Sequence, residues 1–342
     1  MPTIKIHISD EQLQRLYANG EIVIILGDDR QPDGDDSLKN REMQHAPTET
    51  SFFAFGQYWA EQLRKTGNLR TAETYRTALN ALSRFLQDDK LTLSEVTPIL
   101  MEQYQSYLRS RQLTMNTISF LLRILRAIYN KGVRQGLVCD CQPFRDVYTG
   151  IARTQKRALT LEMLQRIKQL RIDDQRLLFA RDMFLLSFYL RGMAFVDMAN
   201  LRRTDIIDHH LHYKRHKTGQ MLSIRWERQM EEIVSRHSDV SMPYLLPIIR
   251  RQNGKERNQY RHRQTLINHD LKEVARLADV TVNLTMYCAR HTWATVARSL
   301  QVPMNVISQA MGHNNERTTE IYIRNVDSDA VDGANAQILR VV

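Results

Sequence analysis

Residues 287–322 read YCARHTWATVARSLQVPMNVISQAMGHNNERTTEIY. Two apolar-periodic runs, 288–300 and 302–311, are read as helices, Gly312 interrupts the pattern, and 318–323 is read as a third, short helix. The helical pattern extends upstream through 264–278, 227–237, 195–201, 174–189 and 160–170, with a break at Arg191-Gly192-Met193. One feature differs. Short β-like runs at 210–213 and 221–224 flank Lys217-Thr218-Gly219-Gln220, which predicts a β-hairpin with Gly219 in its turn. Residues 159–325 therefore read as one mainly α domain with a small β-hairpin, followed by a partly apolar tail at 326–342.

Further out, 48–140 carries four helical stretches. Phe52, Phe55, Tyr58, Trp59 and Leu63 share one face; 72–86, 100–108 and 119–131 supply the others. Residues 141–158 hold Pro143, Gly150 and a basic stretch, and are read as a linker between two domains. Residues 1–47 form a small acidic appendage: strand-like at 3–8 and 21–26, helical at 10–17, then an Asp-rich tether.

The 342 residues suffice for two domains, and few Gly and Pro (13 and 8) suit a helical fold. The net charge of +10 is unevenly spread. Residues 1–47 carry 5 Lys/Arg against 9 Asp/Glu, 48–150 carry 13 against 9, and 151–342 carry 30 against 20. The surplus lies in the last two-thirds and predicts a polyanionic partner, double-stranded DNA in the first place. In the helical region Arg70, Arg76, Arg123 and Arg126 are candidate phosphate contacts, as are Arg153, Lys156 and Arg157 in the linker. Taken singly, each of those in the helical region is better explained by a solvated charged face. Three cysteines, with Cys139 and Cys141 one residue apart, give neither a disulfide framework nor zinc spacing. His209, His210 and His212 lack carboxylates arranged with them, so no metal site is expected. No apolar run reaches the ~18 residues of a membrane span and the first residues lack a signal-peptide core, so the expected location is the cytoplasm.

Four short motifs follow one another: Leu190-Arg191-Gly192, Lys217-Thr218-Gly219, Tyr287-Cys288-Ala289-Arg290-His291, and Met311-Gly312-His313 with Thr318-Thr319-Glu320-Ile321-Tyr322. Two arginines can grip the non-bridging oxygens of one phosphate. A lysine on a hairpin can protonate a leaving oxygen, a histidine can add a hydrogen bond, and a tyrosine hydroxyl can attack once the charge is neutralised. Together these residues have the chemistry of metal-free phosphoryl transfer.

The order Arg … Lys … x-x-Arg-His … Gly-His … Tyr resembles the catalytic domain of the tyrosine recombinases, or phage integrases, and 51–325 is the stretch it covers. The resemblance implies a helical core-binding domain and a catalytic domain forming a C-shaped clamp on DNA. It implies site-specific recombination (integration, excision or inversion) through a 3′-phosphotyrosine link, without metal, ATP or other cofactor. Tyr322 would be the nucleophile, Arg191 and Arg290 the phosphate clamp, Lys217 the acid on the departing 5′ oxygen, and His313 a phosphate contact. A monomer in solution and a homo-tetramer in the synaptic complex are implied too; the partly apolar tail is read separately, as docking into a neighbouring subunit, with packing within its own chain as the alternative. A topoisomerase-like nicking-closing enzyme and a non-catalytic DNA-binding protein are the alternatives.

Two departures mark this chain. Tyr287 stands where the family has a histidine, and a phenol of ordinary pKa about 10 is a poor base near neutral pH. The adjacent His291 is expected to be buried. After Arg191 the acidic residue comes at the sixth position, Asp197, rather than the third, so the local turn must differ. Integrases from Bacteroidetes are similar in both respects.

Overall fold

The structure, a computed structural model, describes residues 50–152, 158–239, 241–313 and Thr319. The appendage at 1–47, the basic linker residues Arg153, Lys156 and Arg157, the nucleophile candidate Tyr322 and the tail at 326–342 lie outside the described residues. The chain divides into two compact units, Met1–Ala152 and Arg153–Val342.

Among its described residues the first unit holds four helices: α1 Phe52–Lys65, α2 Leu69–Leu86, α3 Pro98–Ser110 and α4 Met115–Arg134. Each expected helix is present, longer at one or both ends than its apolar pattern. The extra residues are set by caps. Ser51, Thr97 and Thr114 each accept a hydrogen bond from a first-turn amide, and Pro98 opens α3, where its missing N–H costs nothing. Phe52, Leu79, Leu82, Met101, Tyr104, Ile118, Leu122 and Leu125 fill the core.

The linker expected over 141–158 is shorter than its composition implied. Phe144 and Val147 are buried in the first unit's core, with the Phe144 ring edge-on to Tyr129 at 6.1 Å. Ser119 donates to the Gly150 carbonyl at 2.6 Å, and the Asn116 amide exchanges two bonds with the Ala152 backbone at 2.8 and 2.9 Å. Pro143 and Gly150 bend this segment; its two spaced apolar side chains hold it down. The Tyr129 hydroxyl donates to the Cys139 carbonyl and accepts from the Cys141 amide, so these cysteines sit against a structural contact.

The second unit runs α5 Leu161–Gln169, α6 Gln175–Tyr189, α7 Phe195–Asn200, strands β1 Ile206–Ile207, β2 His210–Lys214 and β3 Met221–Arg225, then α8 Arg228–His237, α9 Glu256–Leu277, α10 Met286–Ser299 and α11 Met304–Ala310. α6 is apolar almost all round and is packed by α8, α9 and α10, which makes it the centre of this core. Its one buried acid, Asp182, is matched by Arg181, Arg236 and His237. A buried carboxylate survives only with such partners.

The hairpin forms where expected, with Leu211 opposite Ile224 and both turned inward. β1 adds a third antiparallel strand in the order β1-β2-β3; two residues are too short to show a period in the sequence. α9 starts at Glu256, eight residues before the expected 264, because Arg257, Gln259, Arg261 and Arg263 give its first turns no apolar stripe. Among the described residues no helix is long and apolar enough to cross a membrane.

Candidate active site

α6 ends at Tyr189, and the chain leaves it through two consecutive left-handed residues, Arg191 (φ 59°) and Gly192 (φ 71°). Amides of Arg191 and Gly192 bond back to Phe188 and Ser187, and the Ser187 hydroxyl donates to the Met193 carbonyl at 2.9 Å. A left-handed conformation is unfavourable for arginine, so these bonds hold the turn. Gly192 is required twice over: by its φ, and because a Cβ there would lie 2.6 Å from the Arg290 Cα. Half-buried Arg191 sends Nη1 toward the Ser223 carbonyl on β3 at 3.3 Å.

The same turn resolves the displaced acid. It is followed directly by α7, whose first turn carries buried Asp197. One Asp197 oxygen accepts from the His216 amide at 2.9 Å, tying this motif to the hairpin. Burial holds the Asp197 carboxyl above its usual range, against the His216 amide, Arg215, His216 and Arg290, which all pull it down.

The hairpin turn closes by bonds from the Arg215 amide to the Gln220 carbonyl and from the Gly219 amide to the Arg215 carbonyl, both 2.8 Å. Lys217 is exposed at its tip. Arg290, in α10, is buried and joins the remaining motifs. Its Nη1 donates to the Gly192 carbonyl at 2.8 Å, and its Nη2 lies 2.7 Å from the Met311 carbonyl and 2.8 Å from His313 Nε2.

His313 follows α11 through Gly312 (φ 64°). Burial pushes its pKa down to about 4, helped by the positive charges of Arg290, Arg215 and Lys217. The imidazole is therefore neutral near pH 7. Because Nε2 faces an arginine donor, Nδ1 carries the proton and donates to the Thr319 hydroxyl at 2.8 Å. Thr319, which accepts this bond, is buried and stands three residues before the nucleophile candidate Tyr322 in the sequence.

Tyr287 is exposed on the first turn of α10, its ring edge-on to His291 at 4.7 Å. His291 is half-buried rather than buried as expected: it lies one helical turn beyond exposed Tyr287, on the same side of α10. Sequence reasoning missed Arg215. It is buried, donates from Nη1 to the Gly312 carbonyl, and acts on His313. The run Lys214-Arg215-His216-Lys217 was its only signal, and a basic hairpin end reads first as a solvated one.

Arg290, Arg215 and Lys217 thus surround one histidine, with Arg191 on the turn whose Gly192 carbonyl Arg290 holds and Asp197 as the buried acid behind them. Such an excess of fixed cations suits a phosphate. Residues 162–329 match the Phage integrase family, and 51–146 match the Phage integrase SAM-like domain. The chain belongs to the tyrosine recombinase family.

This recombinase is 23% identical over 274 residues to the tyrosine recombinase XerC of Listeria monocytogenes serotype 4b (strain F2365), covering 75% of this chain and 87% of that one. A tyrosine recombinase of Thermosipho africanus (strain TCF52B) is 26% identical over 146 residues, covering 42% and 49%. Its fold is that of a lambda integrase solved as a tetramer on a Holliday junction (TM-score 0.65, 13% identity, 82% of this chain and 80% of that one). It is similar too to the Tn1549 transposon integrase solved with a circular intermediate DNA (TM-score 0.59, 16% identity, 85% and 99%). The chain is accordingly a site-specific DNA recombinase.

The four expected phosphate contacts of the helical unit have diverse surroundings. Arg70 and Arg76 are exposed but pair with Glu73 and Glu61 at 3.5 and 3.4 Å. Arg123 is exposed on α4, and Arg126 reaches the Thr149 hydroxyl at 3.4 Å. α4 itself carries four basic residues and no acidic one. In the second unit, exposed Arg250, Arg251, Lys255 and Arg261 around the start of α9 form a basic surface that the sequence reading did not single out.

Proposed function

We propose that the recombinase cuts and rejoins DNA through a 3′-phosphotyrosine link at Tyr322, with no metal or nucleotide. Arg191 and Arg290 take the non-bridging oxygens and Tyr287 adds a hydrogen bond to the same phosphate, while His313, its one proton on Nδ1, accepts from Arg290 and orients that guanidinium toward it. The Tyr322 oxygen bonds to phosphorus as the bond from phosphorus to the 5′ oxygen breaks. A proton from the Lys217 ammonium goes to that 5′ oxygen. Fixed cations that neutralise the phosphate favour attack by the phenol oxygen, whose proton leaves to solvent, so Tyr287 need not act as a base. Resealing reverses these steps with a 5′-hydroxyl of a partner strand.

The observation that carries this reading is the position of Arg290. One buried guanidinium meets Gly192, Met311 and His313, so it joins its own motif to two others that are distant in sequence. In this reading Arg70, Arg76, Arg123, Arg126, Arg153, Lys156 and Arg157 hold the duplex backbone. Four protomers assemble on two duplexes, with the tail at 326–342 docking into a neighbour, in the service of integration, excision or inversion. The test is a nicked suicide substrate. The wild-type chain should form a covalent protein–DNA adduct in the presence of a chelator, and Tyr322→Phe none. An adduct with Tyr322→Phe, or adducts lost to the chelator, would overturn the mechanism.

A further inference from the structure

Arg215 has no part in the chemistry set out above, yet it is 8% exposed, while Lys217 two residues on is at the surface. Burying a guanidinium is costly unless its donors are used. Its surroundings show where they go. Backbone atoms of Arg215 make both bonds that close the hairpin turn, one to Gln220 and one from Gly219. Its side chain crosses to the other motif, where Nη1 donates to the Gly312 carbonyl. The next residue is pinned as well, by the His216 amide on Asp197.

The contact is close-packed from the far side. A Cβ on Gly312 would stand 3.2 Å from Arg215 Cδ, 2.8 Å from Leu222 Cδ1 and 3.3 Å from Gln220 Oε1. Hairpin and Gly312 turn therefore touch with no room for a methyl group. The neighbouring carbonyls of Met311 and Gly312 are each held by an arginine, Arg290 on the first and Arg215 on the second. One arginine belongs to the phosphate clamp. The other roots the turn that bears the lysine.

We propose that Arg215 is a positioning residue: it fixes the Lys217 turn against the Met311–His313 turn, so that the proton donor reaches the leaving 5′ oxygen in register with the clamp. A hairpin of two five-residue strands whose tip projects into solvent would otherwise swing. Without Arg215 the lysine remains in the chain but is delivered less often, so the loss falls on protonation of the leaving group and not on grip of the phosphate.

The inference rests on Lys217 being the acid, and the experiment separates the two. Cleavage is measured in single turnover on an ordinary suicide substrate and on one with sulfur in place of the leaving 5′ oxygen, since a thiolate departs without a proton. Arg215→Gln should slow cleavage of the ordinary substrate by about a hundredfold and come within a few-fold of wild type on the sulfur substrate. Lys217→Ala should behave likewise. Arg215→Lys keeps the charge in the same buried place and guards against misfolding; it should show a smaller defect, relieved in the same way. If Lys217→Ala is relieved by sulfur and neither Arg215 variant is, Arg215 does not position the acid and the inference fails alone. If Lys217→Ala is not relieved, the lysine is not the acid and both readings fall.

Discussion

Arg70 and Arg76 lie at the surface of the helical unit, each beside a glutamate, whereas Arg290 and Arg215 in the second unit are buried and donate to main-chain carbonyls. Residue type and charge are the same. The difference lies in what each arginine is allowed to do. An exposed arginine can swing toward any phosphate along a duplex, and its glutamate pairing is worth at most about 1 kcal/mol. A buried one is fixed by the carbonyls it satisfies and can address only an anion brought to it. The first kind suits binding without regard to sequence, and the second suits chemistry at one bond.

Breaking the second kind should hurt most. Arg290→Gln should slow covalent adduct formation by about a thousandfold or more. The same change should lower the melting temperature, since Gly192 and Met311 carbonyls lose a donor at about 1–3 kcal/mol for a buried unsatisfied group. A tenfold effect with unchanged melting would place Arg290 outside the site. Next comes a pair of glycines with the same backbone demand. Gly192→Ala meets both a left-handed φ and the Arg290 Cα at 2.6 Å, while Gly136 has φ 70° and nothing within 4 Å of an added Cβ. Gly136→Ala should cost on the order of 1 kcal/mol by thermal unfolding, and Gly192→Ala distinctly more, with cleavage lost as well. Equal costs would mean the close approach of the two motifs is not maintained in solution.

A smaller effect concerns pH. His313 has its pKa lowered to about 4 in the folded chain against 6.5 unfolded. Between these values the unfolded state binds the extra proton, so stability rises with pH. This contribution is complete above about pH 6.5 and is lost as pH falls toward 4. His313→Gln should flatten that part of the wild-type stability curve; superimposable slopes would show that the ring titrates normally. The smallest effects belong to the helical unit. Arg70→Ala or Arg76→Ala should change stability by less than about 1 kcal/mol and reduce the salt dependence of DNA binding by about one unit of log–log slope each. Unchanged slopes would remove them from the DNA-facing set.

Apolar periodicity at 3.6 residues made the helices legible, and the hairpin was visible because its two β-like runs flank a glycine turn. The start of α9 was not, since Arg257 to Arg263 follow no apolar stripe, and neither was the fastening of 141–152, which depends on Phe144 and Val147 meeting a core built elsewhere in the chain. For the site, the order of Arg191, Lys217, Arg290, His313 and Tyr322 was enough to name the family, because that order resembles its catalytic domain.

The sequence by itself determined which groups this recombinase offers as candidates for phosphoryl transfer, since side-chain chemistry and the local turn at Gly192 are properties of short stretches. Tertiary structure alone decided how they are held. Arg290 meets Gly192, 98 residues away, and Arg215 meets Gly312, 97 away, through carbonyls that every residue carries and that no sequence pattern marks. The neutrality of the His313 ring is likewise a product of packing, because burial and three cations, one in α10 and two in the hairpin turn, set it.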